Sequence, residues 1–340
     1  MSRVAVIGGG VIGLSTAVVA QRRMPWLEVT VFAEQLSPDT TGDGSAGLWE
    51  PYLLQDTPAD NINRWASETY FLFRELWQSP LAGEVGVSLV PMTWLTQEEG
   101  SSLPLWRHSV LGFSPIDEKQ LRDLSSQHGR TYKFGYEMLM FTCEPTRFLP
   151  YLLKEFKTNG GVLLKKRVTS LPDVAADGYD VVVNCSGLGA RELVGDVSIQ
   201  PIRGQVMRVK APWVKHVILD DSDAGNYIIP NQDSVVLGGT HQLGDWNTEV
   251  SSADRDFILN GCCKMLPALR RAEVLQEWVG LRPSRPQVRL ERETVRGRHG
   301  KSFEVVHNYG HGGSGVTLCW GCAQDAVKLI QQSLQGAAKL

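Results

Sequence analysis

Three glycines near the start of the chain have the spacing of a turn that binds the diphosphate of a nucleotide cofactor. Gly8, Gly10 and Gly13 follow an apolar, β-branched segment from Arg3 to Ile7 and precede a helical stretch of small residues from Leu14 to about Gln21. In such a turn the first glycine permits a tight bend, the second lets the backbone approach the diphosphate, and the third lets the helix pack on the strand. The N–H groups of the helix N-terminus then face the phosphates.

A carboxylate stands where this kind of unit binds a ribose. A second predicted strand, Leu27 to Ala33, ends in Glu34, which is about 20 residues beyond Gly13, as a ribose-binding acid should be. The pattern therefore predicts a complete βαβ unit with a dinucleotide, in preference to a purely structural glycine turn. The turn alone does not distinguish FAD from NAD.

The segment Asp39 to Gly47 is rich in hydroxyl-bearing and small residues. That composition suits a backbone wrapped around a phosphate or the edge of an isoalloxazine ring, and it also suits an ordinary surface loop. The next residues, Leu48 to Tyr52, add two aromatic side chains and a carboxylate. They fit either an apolar patch beside a flavin or an anchor in the core.

Several arginines alternate with prolines between Gly280 and Arg289. Proline restricts the backbone, and a rigidly held guanidinium can bind a carboxylate through two hydrogen bonds. Spacing alone supports equally well a solvated strand whose arginines pair with Glu291 and Glu293.

A glycine-rich segment, His307 to Gly315, precedes a predicted helix from Val316 to about Leu334. Its histidines, His307 and His311, are four residues apart, but the glycines exclude the helix that would bring both rings to one metal. We therefore expect no metal. A loop that leads into a helix N-terminus instead favours an anion, such as the reduced edge of a flavin.

The composition excludes several classes of protein. The chain has 340 residues, of which 42% are hydrophobic, and a net charge of −3, which is typical of a globular enzyme and argues against nucleic-acid binding. No apolar run reaches the ~20 residues of a membrane-spanning helix, so no membrane contact is expected. Six cysteines, including the Cys319/Cys322 pair, are interpreted as buried structural thiols in a reducing interior. The last residues, Ala338-Lys339-Leu340, resemble a peroxisomal address.

The remaining periodicity predicts an α/β protein with discontinuous domains. Helices are expected at 60–80 and Phe148–Lys157, and strands at Val87–Leu95, Gly161–Lys166, Val181–Cys185, Val206–Val209, Tyr227–Ile229, Val235–Gly239 and Val305–His307, with a loop at Asn308–Gly315. A Rossmann-like nucleotide domain is expected from 1–55, 145–195 and 290–340. A second, α+β substrate domain built on an antiparallel sheet is expected from 56–144 and 196–289.

Taken together, these motifs resemble the D-amino-acid oxidase family, which includes D-aspartate oxidase, over essentially the whole chain. The segments that carry the resemblance are Val6–Ala17, Ala46–Tyr52, Arg203–Val206, Ala211–His216, Tyr227–Pro230, Leu237–Thr240, Gly280–Pro286 and His307–Gly315. The resemblance implies a non-covalent FAD, hydride transfer from a D-amino acid to flavin N5, and reoxidation by oxygen to hydrogen peroxide. The imino acid formed hydrolyses to a 2-oxo acid and ammonia.

The resemblance also implies roles for particular residues. Arg282 would bind the substrate carboxylate, Tyr227 would lie beside it, and the Gly313 backbone would accept from the amino group. The implied substrate pocket contains Leu48, Glu50, Leu219, Ile229 and His241. The implied FAD contacts are Gly8, Gly10, Val11, Ile12, Gly13, Ala33, Glu34, Thr40, Thr41, Gly47, Leu48, Val168, Cys185, Ser186, Gly187, Arg282, Gly312, Gly313, Gly315, Val316 and Thr317.

Departures from the family pattern bear on the substrate class. Leu219 and His241 stand where aspartate-specific relatives have arginines, which favours neutral or aromatic D-amino acids. Glu50 replaces a glutamine of the neutral-substrate enzymes. If ionised near the pocket, it would repel acidic substrates and favour basic ones, whereas a protonated His241 would act in the opposite direction. The alternatives are D-aspartate oxidase, supported by the short segment Leu219 to Asn226, and an NAD-dependent dehydrogenase. The expected small-molecule partners are the D-amino acid and oxygen. The C-terminal Ala338-Lys339-Leu340 predicts recognition by the peroxisomal import receptor and a location in the peroxisomal matrix. A homodimer is left open.

Overall fold

A computed structural model of the chain describes residues 2–223, 225–297 and 300–337. In these ranges fourteen strands form one continuous sheet, which nine α-helices accompany. The strands are β1 (Arg3–Ile7), β2 (Glu28–Ala33), β3 (Val87–Thr96), β4 (Leu111–Pro115), β5 (Phe134–Cys143), β6 (Val162–Lys165), β7 (Val181–Asn184), β8 (Gln200–Lys210), β9 (Val217–Asp220), β10 (Tyr227–Pro230), β11 (Val235–Gly238), β12 (Gln242–Leu243), β13 (Glu273–Arg296) and β14 (Ser302–His311).

The helices are α1 (Val11–Arg23), α2 (Ala59–Trp77), α3 (Ala82–Val85), α4 (Glu118–His128), α5 (Pro145–Thr158), α6 (Leu171–Ala176), α7 (Ala190–Leu193), α8 (Ser252–Met265) and α9 (Gly315–Ala337). None of the helices in the described ranges is long and apolar enough to cross a lipid bilayer. The Ala338-Lys339-Leu340 motif lies outside the described residues.

The first half of the sheet is parallel, in the order β14-β7-β1-β2-β6. Side chains alternate along β1, so that Val4 and Val6 join the core cluster that contains α1, α5 and α9. Ala5 and Ile7 point to the other face, where they pack with α6. The predicted βαβ unit is thereby confirmed, since β1 and β2 are parallel neighbours connected by α1.

The second half of the sheet, in the order β4-β5-β3-β9-β10-β11-β8-β13, is antiparallel except for the pairing of β3 with β9. Helix α8 covers it, and Ile258 and Cys262 pack against Met207 and Leu237 of the sheet. The expected fold class is confirmed: a parallel, helix-covered nucleotide-binding half and an α+β half on a mainly antiparallel sheet.

One long strand, β13, connects the two halves. From Glu273 to Ser284 it pairs with β8, and from Ser284 to Arg296 it pairs with β14, with a shift of register between Ser284 and Arg289. The boundary predicted at 289/290 falls inside this strand, so the two halves share both a strand and a continuous sheet. The domain limits themselves stay a prediction.

Two strands are longer than their local pattern indicated. The strand predicted at Val206–Val209 extends over Gln200–Lys210, because β13 offers it hydrogen-bond partners along the whole length. Likewise, Asn308 to His311 was expected to be a loop but belongs to β14, where Tyr309 pairs with Arg289 and His311 with Ser284. A distant partner strand decides both cases, and the local sequence does not contain that information.

Candidate active site

A large cavity runs along the carboxyl ends of β1, β2 and β7 and continues past β10 and β13 to the start of α9. In open α/β sheets ligands bind in this position, outside the carboxyl ends of the strands. The volume is about 1230 Å³, whereas a pocket for one small molecule usually has roughly 300–1,000 Å³. The cavity therefore has room for a large cofactor together with a small substrate.

The glycine turn forms one end of the cavity. Gly8 has a φ of +122°, and its N–H donates to the Phe32 carbonyl at 2.8 Å. A Cβ on Gly13 would lie 2.0 Å from the Gly8 carbonyl oxygen, so Gly13 is required for close packing of α1 on the turn. A Cβ on Gly10 would meet no atom within 4 Å. Gly10 faces open space in the cavity, and helix α1 begins there without an acidic residue in its first turn.

Glu34 lies at the cavity wall just after β2, and its carboxylate is 3.5 Å from the Arg167 guanidinium. Both side chains are more than half exposed, and Val168 lines the cavity beside them. A carboxylate at this distance from the glycine turn has the position expected of a ribose ligand.

The hydroxyl-rich segment after β2 is held by its own side chains. Thr40 donates from Oγ1 to Asp43 Oδ2 at 2.6 Å and from its backbone N–H to the same oxygen at 2.9 Å. Arg208 of β8 donates to the Ser45 carbonyl at 3.0 Å. The segment lines the cavity, but the Thr40 hydroxyl orders the turn. The segment is therefore an ordered turn that forms part of the cavity wall, as expected for a segment beside a cofactor.

The residues that follow β7 form another part of the wall. Cys185, Ser186 and Gly187 line the cavity, and the Ser186 hydroxyl donates to Asn184 Oδ1 at 2.7 Å. Burial raises the pKa of the Cys185 thiol to about 12, so it remains protonated and acts as an apolar group.

The opposite end of the cavity is the start of α9. Gly312 has a φ of +53°, and a Cβ there would lie 2.0 Å from the Leu53 carbonyl oxygen. Ser314 donates from Oγ to the Tyr52 carbonyl at 2.7 Å and accepts from the Tyr52 N–H at 2.6 Å. Gly313, Gly315 and Val316 line the cavity, and the first turn of α9 contains no acid. The positive end of this helix therefore faces the cavity, where it stabilises an anion.

Arg282 and Tyr227 meet in the middle of the cavity. Arg282 donates from Nη1 to the Thr240 carbonyl at 2.9 Å, and its guanidinium lies over Gly204, where a Cβ would be 2.2 Å away. The Tyr227 ring covers Gly238 on the neighbouring strand. Burial raises the pKa of the Tyr227 hydroxyl, and the nearby Arg282 charge partly opposes that rise. A fixed cation beside a neutral phenol is suited to binding a carboxylate.

Two arginines of the segment Gly280 to Arg289 take the two different roles that the sequence predicted. Arg282 faces the cavity, as predicted for a carboxylate ligand. Arg289 pairs with Glu291 at 2.7 Å and with Glu293 at 2.8 Å, as predicted for the solvated strand.

The two histidines of the glycine-rich segment lie apart from any metal-binding arrangement. His307 Nε2 is 3.0 Å from Glu293 Oε2. His311 is buried, and burial lowers its pKa to about 3, so it is neutral. Within the described ranges no three His, Cys, Asp or Glu side chains are placed to hold a metal ion.

Two carboxylates share the side of the cavity near β9. Leu219 pairs with Tyr227 across β9 and β10, and Asp221 follows two residues later. Burial, and then the charges of Glu98 and Asp220, raise the Asp221 pKa to about 6. The Glu50 pKa lies well above its ordinary value because the carboxyl is buried and faces Asp221, while a hydrogen bond from Trp94 opposes the rise.

Most of the predicted site residues line this single cavity, and three do not. Gly13 and Ala33 lie behind the glycine turn, where they serve packing. Thr317 is buried, and its hydroxyl donates to the Glu50 carbonyl at 2.9 Å and accepts from the Glu50 N–H at 3.1 Å. Its side chain therefore fixes the segment that carries Glu50, and its contact with a cofactor stays a prediction.

The lining residues that sequence reasoning did not assign to the site include Tyr52 and Asp221. Tyr52 was noted only as one of two aromatics beside the predicted cofactor loop, and Asp221 only as part of the short segment after Leu219. Strand alternation does not single out Asp221, because Leu219, Asp220 and Asp221 all line the cavity.

All six cysteines are free and buried, in agreement with the interpretation as structural thiols. Burial raises the pKa of the Cys319 thiol to about 12 and places that of Cys322 well above its ordinary value. The C-x-x-C spacing in α9 therefore carries no reactive thiolate.

Fold and site together define a two-part oxidoreductase that places a dinucleotide against a carboxylate-binding cavity. The chain matches the family model described as FAD dependent oxidoreductase (DAO) over residues 3–329 and belongs to this family.

The relatives and solved structures agree with that assignment. The chain is 41% identical to D-aspartate oxidase of Homo sapiens, with coverage of 97% of this chain and 95% of the relative. It is 39% identical to D-amino-acid oxidase of Rubrobacter xylanophilus, with coverage of 98% and 97%. Glycine oxidase of Geobacillus kaustophilus has a similar fold, with a TM-score of 0.76, 19% identity and coverage of 98% and 95%.

The family membership identifies the cofactor as FAD and answers the question that the glycine turn left open. The residues present fit it. The open approach at Gly10 and the N-terminus of α1 suit the diphosphate, and the start of α9 suits the flavin edge that becomes negative on reduction. The cavity connects the two helix ends.

Proposed function

We propose that this protein oxidises D-amino acids, with oxygen as the electron acceptor, to 2-oxo acids, ammonia and hydrogen peroxide. The observation that carries the proposal is the position of Arg282 and Tyr227 in the same cavity that begins at the Gly8–Gly13 turn. Relatives named D-aspartate oxidase and D-amino-acid oxidase cover nearly the whole chain at about 40% identity, which supports the same chemistry.

The protein's contribution to this reaction is positioning. The Arg282 guanidinium, held by the Thr240 carbonyl, binds the substrate carboxylate, and the neutral Tyr227 hydroxyl donates to the same group. The backbone of Gly313, at the start of α9, accepts from the substrate amino group. FAD bound in this cavity would supply the acceptor for the hydride of the substrate α-carbon, and oxygen would reoxidise it. Because the carboxylate, the amino group and the side chain each have a separate place in the cavity, one enantiomer is selected. No side-chain base at the α-carbon is needed.

For the substrate we propose neutral and aromatic D-amino acids. Leu219 and Ile229 are buried, apolar and on the cavity wall. Among the described residues that line the cavity, the arginines are Arg282 and Arg167, and Arg167 lies near Glu34. The 41% identity to human D-aspartate oxidase favours acidic substrates as the second candidate. An apolar Leu219 gives a second carboxylate no partner, which speaks against it.

A peroxide-coupled panel tests the proposal. Purified holoenzyme is given D-Ala, D-Phe or D-Asp, each with its L-enantiomer as a control, and the flavin is measured by its visible absorbance. Peroxide from D-Phe and D-Ala is the expected result. A protein that contains FAD but makes no peroxide from any D-amino acid would contradict the activity, and D-Asp far ahead of the others would reverse the substrate class.

We also propose a peroxisomal localisation, supported by the Ala338-Lys339-Leu340 motif alone. The chain is expressed with an N-terminal fluorescent protein, with or without these three residues. Punctate, peroxisome-coincident fluorescence that disappears on deletion is expected, and the same distribution for both proteins would refute the localisation.

A further inference from the structure

The wall of the substrate cavity near β9 carries two carboxyl groups, of Glu50 and Asp221, that the proposed reaction does not use. Leu219 and Asp221 both line the cavity at the end of β9, and Glu50 lines it from the segment before α2. Asp220 also lines the cavity but has its own cation, because Arg130 Nε is 3.6 Å from its Oδ2. Within the described ranges, Glu50 and Asp221 have no ion-pair partner.

The backbone holds Asp221 in this position. Its N–H donates to the Leu95 carbonyl of β3 at 2.8 Å. The next residue, Ser222, accepts from the Gln97 N–H at 2.9 Å and donates to Asp220 Oδ1 at 2.5 Å. The Asp221 backbone and the Ser222 side chain are therefore both hydrogen-bonded to the end of β3. A carboxylate held in this way is ready for a partner without the cost of ordering a loop.

We propose that Asp221, together with Glu50, binds the cationic side chain of a D-amino acid. The cavity then takes cationic D-amino acids in addition to neutral and aromatic ones, and it takes them in preference to neutral molecules of the same shape. The proposal rests on the proposed function, because Arg282 must hold the α-carboxylate for the side chain to point away from it. Leu219, between Tyr227 and Asp221, then packs against the aliphatic stem.

The charge balance of the cavity supports a cationic guest. The Asp221 charge contributes to the raised pKa of Glu50, and a cation between the two groups favours the ionised form of both. Glu98 and Asp223 also line the cavity and add negative charge near Asp221. An anionic side chain is disfavoured at the same place for the same reason. A neutral or aromatic side chain is still accepted, because Leu219 and Ile229 provide apolar surface.

The experiment compares D-arginine with D-citrulline, a neutral molecule of nearly the same shape, in the FAD-loaded wild-type enzyme. A charge-assisted contact predicts a kcat/KM for D-arginine about 10-fold or more above that for D-citrulline. Equal values, or D-citrulline ahead, would overturn the inference. If D-phenylalanine and D-alanine are also not oxidised, the proposed function fails as well, so the two failures are distinguishable.

Variants then assign the effect to the residues. In Asp221→Asn the ratio of the two kcat/KM values should fall about 10-fold, and in Glu50→Gln it should fall as well. Asp123→Asn removes the same charge from the exposed face of α4 and should leave the ratio unchanged. A ratio that stays at the wild-type value in both Asp221→Asn and Glu50→Gln would refute the assignment, and the wild-type comparison holds even if one variant fails to fold.

Discussion

Arg282 donates a hydrogen bond from Nη1 to the carbonyl oxygen of Thr240 at 2.9 Å. A guanidinium has five N–H donors, so this bond orients the group and leaves donors for a ligand in the cavity. Because Gly204 lies directly beneath the guanidinium, the side chain is confined from below as well. Arg282 is therefore placed to bind a ligand in the cavity, whereas Arg289, on the same strand, forms an ion pair with Glu291.

Replacing this arginine should remove substrate binding and keep the flavin. For Arg282→Leu we expect kcat/KM for a D-amino acid to fall by about 100-fold or more, since a charge-assisted contact to a carboxylate is lost. Steady-state kinetics measure the fall, and visible absorbance measures the flavin. Arg289→Gln, on the same strand but paired with Glu291 and Glu293, is the matched control and should keep wild-type kinetics. A kcat/KM near the wild-type value in Arg282→Leu would remove Arg282 from the site.

Two glycines of the first turn should respond differently to a side chain. Gly10→Val adds atoms to open cavity space, so the apoprotein should keep its Tm while its affinity for FAD falls. In Gly13→Val the new Cβ meets the Gly8 carbonyl, so the apoprotein itself should lose stability, by about 1–3 kcal/mol. Thermal unfolding and FAD titration measure both effects. An equal loss of Tm in the two variants would contradict the assigned roles.

The preference for a cationic substrate should depend on pH. The Asp221 pKa is raised to about 6, so its carboxyl is neutral below that pH and negative above it. The ratio of kcat/KM for D-arginine to that for D-citrulline should therefore increase as pH rises through about 6. The other titratable groups that interact with Asp221 are acids or phenols, namely Glu50, Glu98, Asp220, Tyr52 and Tyr136. In Asp221→Asn the ratio should be flatter with pH, and a wild-type profile in that variant would assign the effect to another group.

The cysteines should be unreactive in the folded protein. All six are buried, and burial raises the pKa of Cys319 to about 12, so neither access nor thiolate is available. A thiol-reactive chromogen should label the native holoenzyme very slowly and label all six thiols after denaturation. Rapid reaction of the chromogen with Cys319 and Cys322 in the native protein, followed by a disulfide between these two cysteines, would indicate a redox motif instead.

The features that sequence predicted well are local ones. The strand, glycine turn, helix and acid from Arg3 to Glu34 lie within one βαβ unit, and each of its parts follows from short-range patterns of apolar residues and glycines. The helices α2 and α5 were found for the same reason, because a 3.6-residue period is visible without knowledge of the partner. FAD was predicted only from the combination of motifs that lie far apart in the chain.

What the sequence by itself determined is therefore the nucleotide-binding unit, the chemical class of the site and its main ligand candidates. Only the tertiary structure decided which arginine reaches the cavity, that Thr317 holds the backbone of Glu50, and that Asp221 stands beside Glu50. These results depend on strand pairings between residues far apart in the chain, above all along β13. Pairing over such distances is set by the whole sheet, because each strand finds its length and its facing residues only against its neighbours.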